Sequence, residues 1–250
     1  MPRSVRAPAA VAATLTLAIA AAACSPGGSP GPTSAPTSAA SPKAGALATV
    51  EPSPTSEPTA EPPPSGVLTL PTAFAAELEP GTYWSAPPFD LGFEFEVAEP
   101  GWVAGHLNPE FVDIQQFAGT PGEDQPTRII GFAHPLLIYA STNVEATALT
   151  PADAVDLWVE RTDIDTANVA DLQLLGGDAV RVDVHASVPM VPLFGGDDGI
   201  FRLDTAYDVR IVAIAIDDGL FLASVHAPAP ELEEAWVEAL PILESINLQR

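Results

Sequence analysis

The side chains of this 250-residue chain that could carry chemistry are few in kind: one cysteine, four histidines and 33 carboxylates. The cysteine, Cys24, follows Ala20–Ala23 at the end of an apolar run. A thiol in that setting is an acceptor for a diacylglyceryl group, and cleavage before it would make acylated Cys24 the new N-terminus. The third position before the cysteine, where such signals usually hold Leu, is Ala21. With its only thiol acylated, the remainder of the chain has neither a disulfide nor a thiolate nucleophile.

The histidines His106, His134, His185 and His226 stand in no H-x-x-x-H or H-E-x-x-H spacing, so zinc would need ligands gathered from distant segments. His185 and His226 fall in strand-like runs and read as ordinary sheet residues. The folded part has no G-x-S-x-G elbow and no glycine-rich loop ending in lysine, the single lysine being Lys43. Carboxylates are so numerous that a glycosidase-like pair stays open, but no pair can be nominated. Two neighbouring stretches rise above this background. Gly195-Gly196-Asp197-Asp198-Gly199 could hold a hard cation through carboxylate and carbonyl oxygens, yet it lacks the further spaced acids of a calcium loop and reads first as a polar turn. Val188 to Phe194 is apolar but broken by Pro189 and Pro192, which argue against a central strand. That segment either folds back over the core or exposes an apolar patch for binding. The candidate binding loop is Met190, Leu193, Phe194, Asp197 and Asp198. No catalytic residue, metal ligand or cofactor motif is assigned.

These residues are positioned by three unlike regions. Residues 1–23 divide as a lipoprotein signal: a basic start (Arg3, Arg6), an apolar stretch from Ala9 to Ala20, then small residues. Residues 24–66 are rich in Pro, Ser, Thr, Ala and Gly, a composition with too few large apolar groups to offset the entropy of ordering. This linker is expected to be disordered, with polyproline-II stretches and sites for O-glycosylation, reaching on the order of 100 Å. Residues 67–250 are expected to form one α+β domain. No other segment approaches the ~20 continuous apolar residues of a membrane span. Nine basic residues against 33 acidic ones, net −24, exclude nucleic-acid binding and docking on anionic lipid by a basic patch, both of which need clustered cations.

Within the domain, Phe93-Glu94-Phe95-Glu96-Val97 alternates as a half-buried strand and stops at Pro100-Gly101-Trp102. Phe111–Phe117, Arg128–Phe132, Leu136–Tyr139 and Val180–Val184 read as further strands. Thr150-Pro151-Ala152-Asp153 is a helix start, with Val155, Trp158, Val159 and Thr162 at helical spacing, Trp158 packing the helix on the sheet. Val209–Ile216 and Leu220–His226, joined by Asp217-Asp218-Gly219, form a hairpin apolar on both faces, which suits central strands covered on each side. A last helix opens at Pro230 with one apolar stripe and should be kinked or split at Pro241. Ser245–Leu248 could return as a closing strand. The economical architecture is a mostly antiparallel sheet with helices on both faces, a three-layer sandwich.

Tyr83, Phe89, Phe93-x-Phe95-x-Val97, Gly101-Trp102, Val191-Pro192-Leu193-Phe194, the hairpin and Ser245-Ile246 resemble a group of uncharacterised secreted or lipid-anchored bacterial proteins with PsbP-like α/β/α sandwich domains. The resemblance covers most of residues 80–250 and implies the same sandwich. Members of that group often carry cysteines ahead of the Val-Pro-Leu-Phe segment. Here Ser187 to Met190 has none, so a disulfide supporting that loop is absent. The resemblance brings no activity with it. The expectation is a lipoprotein anchored at the outer face of the bacterial membrane through Cys24, acting as a non-enzymatic binding or accessory module for an envelope protein or small ligand. A carboxylate- or metal-dependent envelope hydrolase is the alternative.

Overall fold

The computed structural model describes residues 65–85, 87–146, 150–196, 199–217 and 219–248. Cys24, the signal, the linker up to residue 64, and Asp197 and Asp198 of the candidate loop lie outside them. In chain order the strands are β1 (Leu68–Thr69), β2 (Gly81–Trp84), β3 (Phe93–Val97), β4 (Val103–Leu107), β5 (Phe111–Phe117), β6 (Pro126–Ala133), β7 (Leu137–Ser141) and β8 (Val144–Ala146). Next come helix α1 (Pro151–Val159), then β9 (Ile164–Leu174), β10 (Gly177–Ala186), β11 (Val191–Gly195), β12 (Ile200–Leu203), β13 (Asp208–Ile216) and β14 (Gly219–Ala227). Helix α2 (Leu232–Glu244) and β15 (Asn247–Leu248) close the chain. A seven-stranded sheet runs β4-β5-β6-β14-β13-β10-β9, flanked by two four-stranded sheets, β1-β2-β3-β15 and β12-β11-β7-β8. Every ladder is antiparallel except β1–β2. The class is α+β, mostly antiparallel.

Local chemistry accounts for most elements. The alternation in β3 sends Phe93, Phe95 and Val97 into the core and leaves Glu94 and Glu96 outside it. Thr150 Oγ1 caps α1 by accepting the Asp153 N–H at 3.1 Å, with Pro151 in the first turn. Trp158 is wholly buried and its indole donates to Leu193 O at 3.3 Å, whereas Val159 faces solvent. The two apolar runs pair as the β13–β14 hairpin in the middle of the seven-stranded sheet. Ser245 and β15 close on β3.

Of two proline expectations, one is narrowed and one is corrected. α2 runs through Pro241 unsplit to Glu244. The hydrogen bond forfeited there is to Val237, an exposed residue of the helix, where water can serve the carbonyl instead. β11 is an interior strand in spite of Pro192. Its ladder to β7 involves only Phe194 and Gly195, and its register to β12 shifts between Pro192 and Phe194, so the missing donor falls at an irregular point. Arg161 Nη1 donates to Pro192 O (2.6 Å) and Tyr139 O (2.8 Å), while its Nε and Nη2 grip Asp163 at 2.8 Å each. That guanidinium holds the Asp163 carboxyl down at about 2.

The buried apolar residues form two clusters, divided by strand parity. Val212, Ile214, Phe221, Ala223 and Val225 join Phe93, Phe95, Phe132 and α2 in one. Val209, Ile211, Ala213, Leu220 and Leu222 join α1 and β11 in the other. The first carries a polar tie: Arg210 pairs with Asp183 at 2.7 and 2.9 Å, reaches Glu233 of α2 at 2.9 Å, and lies 5.3 Å from the Trp236 ring centroid.

Candidate ligand cleft

The alternation along β5 places Val112 and Ile114 in the first cluster and sends Phe111, Asp113 and Gln115 to the opposite face. Polar residues on that face would ordinarily be solvated, but Asp113 is only 2% and Gln115 3% exposed. The cause lies in β4. The β4–β5 register jumps between Ala104↔Ile114 and Leu107↔Val112, so Gly105 and His106 together oppose Asp113 in a β-bulge. The Asp113 carboxylate supplies what the ladder lacks there: Oδ1 accepts from the His106 backbone N–H at 3.1 Å and from Gln115 Nε2 at 2.8 Å, and Oδ2 from His106 Nδ1 at 3.1 Å. A Cβ on Gly105 would overlap that carboxylate, which is why the position needs glycine. The carboxylate also raises the His106 pKa, with the ring itself largely in solvent.

Two further polar residues flank this knot. Glu110, in the β4–β5 turn, is 5% exposed. Its backbone N–H and that of Phe111 both donate to Asn108 Oδ1, at 3.0 and 2.8 Å. Its carboxylate lies against Gly196, where a Cβ would fall 2.5 Å from Oε1. His226 of β14 stands in register with Ile129, which in turn opposes Gln115. Its ring is 3% exposed, and desolvation lowers its pKa from 6.5 to about 3, so it is neutral. Ser224 Oγ lies 3.3 Å from Gly131 O and 2.9 Å from His226 Nε2, so the hydroxyl ties the imidazole ring to β6.

A cleft of about 470 Å³ opens over these strands. Its polar floor is Asp113, Gln115 and His226, with His106, Asn108 and Glu110 at one side. The β11–β12 hairpin forms the far wall. There Phe194 and Phe201 stack at 4.6 Å between centroids, Phe111 lies 5.3 Å from Phe201, and Phe201 meets the His226 ring edge-on at 5.3 Å. Met190, Ile200 and Arg202 stand exposed at the rim.

Of the candidate loop, Met190 and Phe194 reach this cleft, Met190 with a positive φ of 60°. Leu193 is fully buried beneath it in the second cluster. Asp197 and Asp198 lie outside the described residues; of their neighbours, Gly196 N–H donates to Gly199 O at 3.0 Å. Val188–Phe194 thus divides between the two readings: Val191, Leu193 and Phe194 fold over the core, while Val188 and Met190 are exposed. His185 pairs with its cross-strand neighbour Asp208 at 2.6 Å, away from the cleft. Sequence reasoning missed His106, Glu110, Asp113, Gln115 and Arg202, and it took His226 for an ordinary strand residue. The one signal available was Phe111-Val112-Asp113-Ile114-Gln115, whose polar face sits in a run flanked by apolar strands. Among the described residues no group of three or more His, Cys, Asp or Glu is placed to hold a metal ion.

No family model matches the chain, and no curated protein does. Among solved structures it is similar to the solution structure of cyanobacterial PsbP (CyanoP) from Synechocystis sp. PCC 6803, with a TM-score of 0.39 and 8% identity, over 71% of this chain and 95% of that one.

Proposed function

We propose that the folded part is a non-enzymatic binding module, held by a lipid on Cys24 at the outer face of the bacterial membrane and carried on the proline-rich linker. The carrying observation is the cleft: an apolar aromatic wall facing a few fixed polar groups, the composition of a site that orients a ligand. Its polar groups are engaged in holding one another (Asp113 by His106 and Gln115, His226 by Ser224), which suits recognition better than turnover. The domain carrying it is read as a three-layer sandwich, since α1 and α2 belong to separate clusters of opposite strand parity. The partner is an envelope protein or a small ligand. The acidic surface and scarcity of cations argue against nucleic acid.

The test is recovery of the full-length lipoprotein from its own envelope, wild type beside Ile200→Arg, a rim change that obstructs the cleft without touching the core. A component recovered with wild type and lost from Ile200→Arg supports the reading. Identical recovery from both removes the cleft from it. Cys24→Ser should move the protein to the soluble extracytoplasmic fraction, and retention in the membrane would remove the anchor. The alternative, a carboxylate-dependent hydrolase, draws on Glu110 and Asp113 lining one cleft. Turnover of peptidoglycan, glycan, ester or phosphate substrates that vanishes in Glu110→Gln and Asp113→Asn would put it first.

A further inference from the structure

The hairpin wall of the cleft ends in an open strand edge, since β12 is the last strand of the β12-β11-β7-β8 sheet. The direction of its backbone groups follows from those of β11. In an antiparallel ladder, pairs that exchange both hydrogen bonds alternate with pairs whose N–H and C=O groups point away from each other. Gly196 N–H donates to Gly199 O at 3.0 Å, so the ladder leaves the turn with a bonded pair. Gly195, opposite Ile200, belongs to a pair of the second kind, since its carbonyl accepts from Leu136 N–H at 3.1 Å on the β7 side. Pro192, opposite Arg202, does too: it has no N–H, and its carbonyl accepts from Arg161 Nη1, which also holds Tyr139 O of β7. Ile200 and Arg202 therefore turn their own N–H and C=O groups outward along the edge of β12, where no described strand pairs with them. Between the two, Phe201 points into the cleft, stacked on Phe194 and edge-on to His226. Exposed Arg202 pairs with no carboxylate of the described residues, and its Nη1 donates to Met190 O at 3.4 Å.

We infer that the cleft takes an extended segment of a partner protein, added as an antiparallel strand to the free edge of β12, with an apolar side chain against Phe201 and a carboxylate beside Arg202. The outward N–H and C=O groups of Ile200 and Arg202 are the ladder such a strand needs, and alternate side chains set what it must carry. The residue opposite Phe201 points into the cleft, whose aromatic wall accepts an apolar group and whose buried carboxylates, Glu110 and Asp113, repel an anionic one. The residue opposite Arg202 stands on the outer face, where a guanidinium without a carboxylate favours Glu or Asp. The net charge of −24 sets a second copy of this chain against pairing at the same edge. A small ligand in the cleft would leave the edge open. This inference rests on the binding-module reading and names a protein segment as the occupant of the same cleft.

The probe is the peptide acetyl-Thr-Glu-Phe-Val-Thr-amide, titrated into the purified full-length chain and followed by NMR. In the antiparallel register it sets Glu opposite Arg202, Phe opposite Phe201 and Val opposite Ile200. Binding is expected to slow hydrogen exchange at the Ile200 and Arg202 amides. N-methylation at the peptide's Val removes a ladder donor and should weaken binding about tenfold, whereas N-methylation at its Phe, whose N–H points away from β12, should change it by less than about threefold. Exchanging the peptide's Glu for Gln should cost about threefold against wild type and nothing against Arg202→Gln. The N-methyl pair is measured on wild type, so it stays decisive should that variant unfold. No binding of the peptide, unchanged exchange at the two amides, or equal loss from both N-methyl peptides would overturn the strand assignment. So would slow exchange at these amides in the free chain together with a dimer in sedimentation, which would make a second copy the occupant. Each of these outcomes leaves the binding-module reading standing, since that reading fails in the envelope recovery.

Discussion

The two faces of the seven-stranded sheet are built to opposite rules. On one, Phe93 meets the rings of Phe89, Phe95, Phe132 and Phe221 at centroid distances of 5.0 to 5.7 Å, and α2 with the β1-β2-β3-β15 sheet seals the layer. On the other, the apolar cover over β13 and β10 gives way, above β5, β6 and β14, to a row of buried polar side chains under an incomplete lid. The sealed face gains from burial alone, since apolar area removed from water stabilises whatever its geometry. The open face buries polar groups, which is tolerable only when each is hydrogen-bonded, and here they are bonded mainly to one another. A face that accepts that cost does so for something other than stability.

The sharpest way to break the comparison is to open the sealed face. Phe93→Ala should cost about 3–5 kcal/mol in chemical denaturation, because its ring is surrounded and the site cannot collapse. A loss below 1 kcal/mol would show that this cluster does not carry the fold.

The second effect belongs to the open face and to pH. His226 titrates at about 3 when folded against 6.5 when unfolded, so the unfolded chain takes up the proton first as pH falls. The stability it contributes is complete above pH 6.5 and is lost as pH falls toward 3, at up to roughly 1.4 kcal/mol per unit. His106 has the opposite sign: its raised pKa means a contribution complete below 6.5 and lost as pH rises through the folded value, and small because the ring is largely exposed. The difference in unfolding free energy between wild type and His226→Leu, followed from pH 7 to 4, should shrink as the pH falls. A constant difference would mean that His226 is solvated.

Gly105→Ala comes next. Its Cβ takes the place of the Asp113 carboxylate, so the bulge loses its acceptor at a cost of about 1–3 kcal/mol. The His106 pKa should fall back toward 6.5, which an NMR titration reads directly. An unchanged titration would separate His106 from Asp113. The smallest effect is expected at Met190, exposed on the rim: Met190→Ala should stay within about 0.5 kcal/mol of wild type. Stability lost well beyond that would mean that the rim is part of the fold.

What the sequence by itself determined is the set of local devices. The Asp217–Gly219 hairpin, the Thr150 cap, the alternation of β3 and the stripe of α2 are all legible because each depends on neighbours within a turn or a strand. β4, β9 and β12 escaped, as β9 is an edge strand with mostly exposed side chains and little apolar alternation to show, and β4 and β12 are short. The interior place of β11 escaped too, because proline rules describe a regular ladder and Pro192 sits where the ladder is irregular. Only the tertiary structure decided the cleft. Asp113 and Gln115 look like the solvated face of a strand until the β4 bulge, the β14 row and the β11–β12 hairpin, the last two from distant segments of the chain, enclose them. His226 looks like any strand histidine until burial removes its proton and Ser224 orients its ring. Burial is a property of what comes to lie on top of a residue, and no spacing along the chain encodes it.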